Sequence, residues 1–120
     1  MSVVAIQNRE DFERLLRENP FVVVKFGASW CPPCQRCAPH FAAYAEQCGE
    51  GVVCASLELD AGEDLAEIAS QNGCKSIPMF FIFQNGRLVT SKVTSSIDEV
   101  RQMVESNLTQ PNALYDGESA

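Results

Sequence analysis

The run Phe21-Val22-Val23-Val24-Lys25-Phe26 is almost unbroken in apolar residues. A stretch of that kind suits a strand covered on both faces, as strands are when helical crossovers pack on either side of a parallel sheet. After Gly27-Ala28-Ser29 comes Trp30-Cys31-Pro32-Pro33-Cys34, and then a helix-like run to Gln47. A C-x-x-C pair at a strand–helix junction suits dithiol–disulfide chemistry. The two sulfurs close a small ring in one state and open it in the other.

The junction can be built from local rules. With Cys31 as helix N-cap, Pro32 takes the first helical position, where its missing N–H would have had no partner anyway. A capping side chain accepts from the second or third helical N–H. The second residue is Pro33, which has none, so the amide of Cys34 is the remaining close donor to the Cys31 sulfur. The helix N-terminus favours thiolate there. Cys31 is therefore expected to be the more exposed and more acidic thiol. The two prolines stiffen the loop.

The rest of the chain alternates. Val3 to Ile6 reads as a short strand. Asn8 caps a helix, with Asp11 in a weak capping-box position, and that helix carries Phe12, Leu15 and Leu16 on one face and stops before Pro20. The second helix contains Pro39, where a kink is expected. Val52 to Leu59 is a strand and Glu63 to Gln71 a helix. Met79 to Phe83 and Leu88 to Val93 flank Asn85-Gly86, a strong hairpin signal. Ser95 or Ser96 caps a last helix ending near Leu108. The order βαβαβαββα implies an α/β fold, a central mixed sheet with helices on both faces. Functional groups then belong outside the C-terminal end of the strand before Cys31. Residues 1–108 read as one domain, and 109–120, polar with Pro and Gly, as a flexible tail.

Two blocks carry a family resemblance. Lys25-Phe26-Gly27-Ala28-Ser29-Trp30-Cys31-Pro32-Pro33-Cys34 with Ala38-Pro39, and Ile77-Pro78-Met79-Phe80-Phe81-Ile82-Phe83-Gln84-Asn85-Gly86, resemble the active-site region and the cis-proline segment of thioredoxins. The Pro-Pro dipeptide is similar to tryparedoxins and nucleoredoxins, but the central region is too short for those. The resemblance covers roughly residues 3–108. It implies a thioredoxin-like fold and a protein-disulfide reductase. Cys31 would be the nucleophile that forms a mixed disulfide, and Cys34 the thiol that resolves it. Trp30, Pro32, Pro33, Ile77 and Pro78 would form the substrate surface, with Ile77 pairing its backbone with an extended substrate segment and Pro78 in cis. The implied partners are disulfide-containing proteins and a recycling reductase or low-molecular-weight dithiol.

Four positions depart from the family. A buried acid is usual where Lys25 stands, a lysine at Ser56, a tryptophan at Gly27 and a groove-lining glycine at Thr94. Lys25 either sits near the sulfurs, favouring thiolate, or carries its head to water. Glu58 shares strand parity with Ser56 and is placed to pair Lys25. Lys25 and Glu58 are thus the residues expected to tune the thiols. Thr94 narrows the expected groove.

Cys37 extends the motif to C-x-x-C-x-x-C, which raises an iron–sulfur or zinc site. Phe41 and Ala42 stand where a ferredoxin-type Cys-Pro would, and His40 is the only histidine, so neither metal nor cofactor is expected. Cys37 remains a candidate regulatory thiol. Cys48, Cys54 and Cys74 read as small core hydrophobes. Besides the reductase, two classes stay open: a metal module, and a thioredoxin-like interaction or redox-sensing domain with weak reductase activity. The 46% apolar content can supply a core, and a net charge of −7 from 16 acids and 9 bases disfavours nucleic acid or an anionic membrane as partner. No apolar run reaches membrane-spanning length, and the first residues lack a targeting pattern. A cytoplasmic monomer is the expectation.

Overall fold

The computed structural model describes residues 2–108; the tail expected to be flexible lies outside them. The elements are β1 (Val4–Ala5), α1 (Arg9–Glu18), β2 (Phe21–Gly27), α2 (Pro32–Gln47), β3 (Val53–Glu58), α3 (Glu63–Gln71), β4 (Met79–Gln84), β5 (Arg87–Val93) and α4 (Ile97–Leu108). They form the expected mixed sheet, ordered β1-β3-β2-β4-β5. β2 is parallel to β3 but antiparallel to β4. Its apolar continuity reflects burial of all seven residues rather than a wholly parallel environment.

Strand alternation divides the interior in two. Val22, Val24 and Phe26 of β2 join Ala55, Leu57, Phe81 and Phe83 against Phe12 of α1 and Leu65 and Ile68 of α3. Phe21 and Val23 join Cys54, Phe80 and Ile82 against Cys37, Phe41 and Tyr44 of α2 and Val100 and Val104 of α4. Lys25 falls on this second face by the same parity. Fully buried side chains such as Phe26, Phe80 and Phe81 contribute on the order of 2 kcal/mol each relative to exposure.

The element ends follow local chemistry. The Asn8 side chain accepts from the Asp11 N–H at 2.8 Å, while the Asp11 carboxylate accepts from the Gln7 N–H at 3.1 Å. The reciprocal bond thus falls one residue before the cap. Asn85 and Gly86 both have positive φ, 52° and 83°, the combination a tight two-residue hairpin demands. Ser96, rather than Ser95, caps α4, its hydroxyl accepting from the Glu99 N–H at 3.3 Å. α2 starts at Pro32 and continues as helix through Pro39 to Gln47. Its N-terminus therefore abuts the C-terminal end of β2.

Candidate active site

β2 ends at Gly27, and a short turn delivers Cys31 to the start of α2. The Cys31 N–H donates to the Ala28 carbonyl at 3.2 Å, and its own carbonyl accepts from Gln35 at 3.0 Å. Cys31 is the N-cap, and its sulfur accepts from the Cys34 N–H at 3.2 Å. Those are the bonds the Pro-Pro dipeptide leaves available. Cys31 and Cys34 are joined as a disulfide with Cα atoms 5.2 Å apart. In this oxidised state both residues are 3% exposed. Residue exposure thus does not separate them as expected, because the bond holds both sulfurs against Ala28, Leu59 and Ile77.

A clamp absent from the sequence reading holds the turn. The Ser29 hydroxyl and N–H both donate to the Asp60 carboxylate, the latter at 3.1 Å. These bonds keep the Asp60 carboxyl below its usual range. The Gln35 side chain donates to the Ser29 carbonyl. The turn is thereby tied to the end of β3 and to α2. The one available signal was positional: Asp60 lies just beyond the strand that runs parallel beside β2.

Around the disulfide, Trp30 is 65% exposed, Pro32 is exposed and Pro33 half-buried. The Ile77–Pro78 peptide is cis. Pro78 is buried and Ile77 half-buried, with Ile77 packed against the cysteine pair. The Pro78 carbonyl accepts from the Thr94 N–H at 3.2 Å. The Thr94 hydroxyl is drawn toward α4, donating to Glu99 and accepting from the Ser96 N–H at 3.0 Å.

Beneath Cys34 lies a cavity of about 200 Å³ lined by Lys25, Glu58, Ser29, Gln35 and Ala38 among others. Lys25 is 4% exposed, its stem buried and its side chain lining this cavity. Among the described residues Lys25 and Glu58 form no ion pair, correcting the expected pairing. β3 places Glu58 opposite Gly27 rather than opposite Lys25, which pairs Ser56. The Glu58 Oε1 atom is buried and, among the described residues, has no hydrogen-bond partner. Gly27 makes the space: a Cβ there would lie 3.2 Å from the Cys34 sulfur and 3.9 Å from Glu58 Oε1. Cys37 is buried, its thiol donating to the Cys34 carbonyl at 3.5 Å. Burial raises its pKa, with the Lys25 charge pulling the other way. His40 is exposed. Among the described residues no group of three or more His, Cys, Asp or Glu side chains is arranged to hold a metal ion.

A cysteine pair at a helix N-terminus, packed against Ile77 of a cis Ile77–Pro78 peptide and preceded by an exposed tryptophan, is built for thiol–disulfide exchange. The thioredoxin family model matches residues 3–106. The chain belongs to the thioredoxin family. Thioredoxin-1 of Caenorhabditis elegans is 32% identical over 98 residues, covering 80% of this chain and 82% of the relative. Thioredoxin-1 of Schizosaccharomyces pombe is 26% identical, covering 88% and 99%. Among solved structures, Schistosoma mansoni thioredoxin superposes with a TM-score of 0.77 at 30% identity, covering 88% of this chain and 94% of that one. The thioredoxin of Plasmodium falciparum gives 0.79 at 24%, covering 87% and 98%, a likeness of fold. The chain is accordingly a thiol–disulfide oxidoreductase of the thioredoxin type. Its family acts on disulfide substrates and is recycled by a reductase. Among the described residues no helix is long and apolar enough to cross a membrane.

Proposed function

We propose that residues 1–108 act as one domain that reduces protein disulfides with Cys31 as nucleophile and Cys34 as resolving thiol. The observation that carries this assignment is the Cys34 N–H donating to the Cys31 sulfur at 3.2 Å. A donor at a helix N-terminus stabilises negative charge on that sulfur and not on its neighbour. The Cys31 thiolate attacks one substrate sulfur, forming a mixed disulfide and expelling the other as thiolate. Cys34 then loses its proton and attacks the Cys31 sulfur, closing the internal disulfide and releasing the second substrate thiolate. Trp30, Pro32, Pro33 and Ile77 form the surface on which an extended substrate segment lies, Ile77 offering its backbone and the buried Pro78 fixing the loop behind it.

The second attack needs a proton acceptor near a buried sulfur. Glu58 Oε1, buried, unpartnered and facing the cavity beneath Cys34, is suited to take that proton through the cavity. Lys25, lining the same cavity, favours the thiolate by charge. We further propose a monomer acting in a reducing, cytoplasmic setting and recycled by a reductase or a low-molecular-weight dithiol.

Reduction of insulin with dithiothreitol as regenerant tests the reading. Wild type should accelerate precipitation, and Cys31→Ser should abolish the effect. Cys34→Ser should accumulate mixed disulfides with substrate, and Cys31→Ser should not. Equal trapping by both variants overturns the assignment of roles.

A further inference from the structure

Cys48 and Cys54 belong to neither the active site nor its cavity. Cys48 closes α2 as its C-cap, and Cys54 lies in β3 on the face packed against α2 and α4. Their sulfurs are 3.9 Å apart. A disulfide requires about 2.05 Å, so a displacement of roughly 2 Å closes the bond. The connecting stretch allows it. Gly49, at φ +89°, and Gly51 are exposed, and a Cβ on either would meet nothing within 4 Å. No side-chain packing at these two positions holds the link in place.

Access is one-sided. Cys48 is half-buried and lines a cavity of about 270 Å³ with Tyr44, Gln47 and Arg101, whereas Cys54 is 2% exposed. The pair also contrasts electrostatically with Cys31. Cys48 sits at the negative end of the helix whose positive end Cys31 caps. Its thiol lies within bonding reach of the Ala45 and Val52 carbonyls, at 3.5 and 3.7 Å. Burial first, then the neighbouring Cys48, pushes the Cys54 thiol far above the ordinary thiol range.

We propose that Cys48 and Cys54 are a second dithiol site, which a small hydroperoxide oxidises to a disulfide stapling the end of α2 to β3. Cys48, the thiol open to the cavity, releases its proton and attacks the peroxide as thiolate. An S–O bond forms, the O–O bond breaks, and the departing hydroxide leaves as water with the thiol proton. The Cys54 sulfur then attacks the sulfenic sulfur of Cys48. The S–S bond forms, the S–O bond breaks, and hydroxide leaves with the Cys54 proton as a second water. Two thiols are oxidised by two electrons, and one hydroperoxide is reduced.

The test uses the full chain, reduced and then exposed to hydrogen peroxide, acid-quenched, alkylated and mapped by mass spectrometry. A Cys48–Cys54 cross-linked peptide should form, with Cys37 and Cys74 still alkylated. The cross-link should persist in the Cys31→Ser, Cys34→Ser double variant. In Cys54→Ala the sulfenic acid should survive at Cys48 and be captured by dimedone. The proposal is overturned if wild type keeps both thiols alkylated while Cys31 and Cys34 oxidise. Oxidation of Cys48 to sulfinic acid without a cross-link overturns it too, as does loss of the cross-link in the double variant.

Discussion

Lys25 lines the cavity beneath Cys34, and among the described residues no carboxylate pairs with it. Its positive charge in that place has a measurable chemical consequence. A positive charge stabilises thiolate and does nothing comparable for a neutral disulfide. The reduced state gains, and the couple becomes more oxidising. Lys25→Met keeps the stem and removes the charge. The first thiol pKa should rise, and the reduction potential should become more negative. Thiolate absorbance and a redox titration against glutathione read the two effects. Lys25→Asp should raise the thiol pKa further, since like charges oppose one another. Unchanged titration in both variants would remove Lys25 from the mechanism. Glu58→Gln separates the two attacks. Capture of substrate by Cys31 should proceed at the wild-type rate, while the mixed disulfide should persist at least about tenfold longer, as expected on removing a positioned base. Rapid-quench mass spectrometry measures that lifetime.

At the scale of elements, the turn before α2 is held by Ser29 and Asp60. The carboxyl of Asp60 titrates below its unfolded value because Ser29 donates to its charged form. A depressed folded pKa contributes stability that is present above the unfolded value, about 3.9, and lost as pH falls through the folded one. Ser29→Ala should therefore be less stable than wild type at neutral pH, and the gap should close in acid below the depressed Asp60 pKa. Urea melts of both proteins at neutral and acid pH check this; a gap independent of pH would assign the loss to packing. The clamp also shows what a linear reading reaches. The apolar run from Phe21 to Phe26, the Asn85-Gly86 turn and the Cys34 amide aimed at Cys31 were legible because each follows from residues adjacent in sequence. Ser29 meets Asp60 across 31 positions, and Cys48 meets Cys54 across a change of direction. Both depend on the register of β3 beside β2. Pattern gives the order of strands, not their register. For the same reason Lys25 and Glu58 reach one cavity but not one ion pair.

Across the whole molecule, the sheet has two edges and each is guarded differently. β1 is two residues long and offers little backbone to a second copy. β5 is longer and leaves Leu88, Val89 and Val93 at 41%, 42% and 49% exposure, and among the described residues no strand pairs with its outer side. Such an edge invites strand addition unless charge or irregularity interrupts it. Here the pairing register shifts between Ile82 and Phe83, and Arg87 and Lys92 are exposed along the strand. A net charge of −7 adds repulsion between copies. The expected state is therefore a monomer over micromolar concentrations, measurable by sedimentation equilibrium. Lys92→Val removes one guard, and high salt screens the repulsion. The variant should self-associate in high salt and do so less in low salt, while wild type stays monomeric in both. Association of wild type at low salt would mean that β5 is an interface rather than a protected edge.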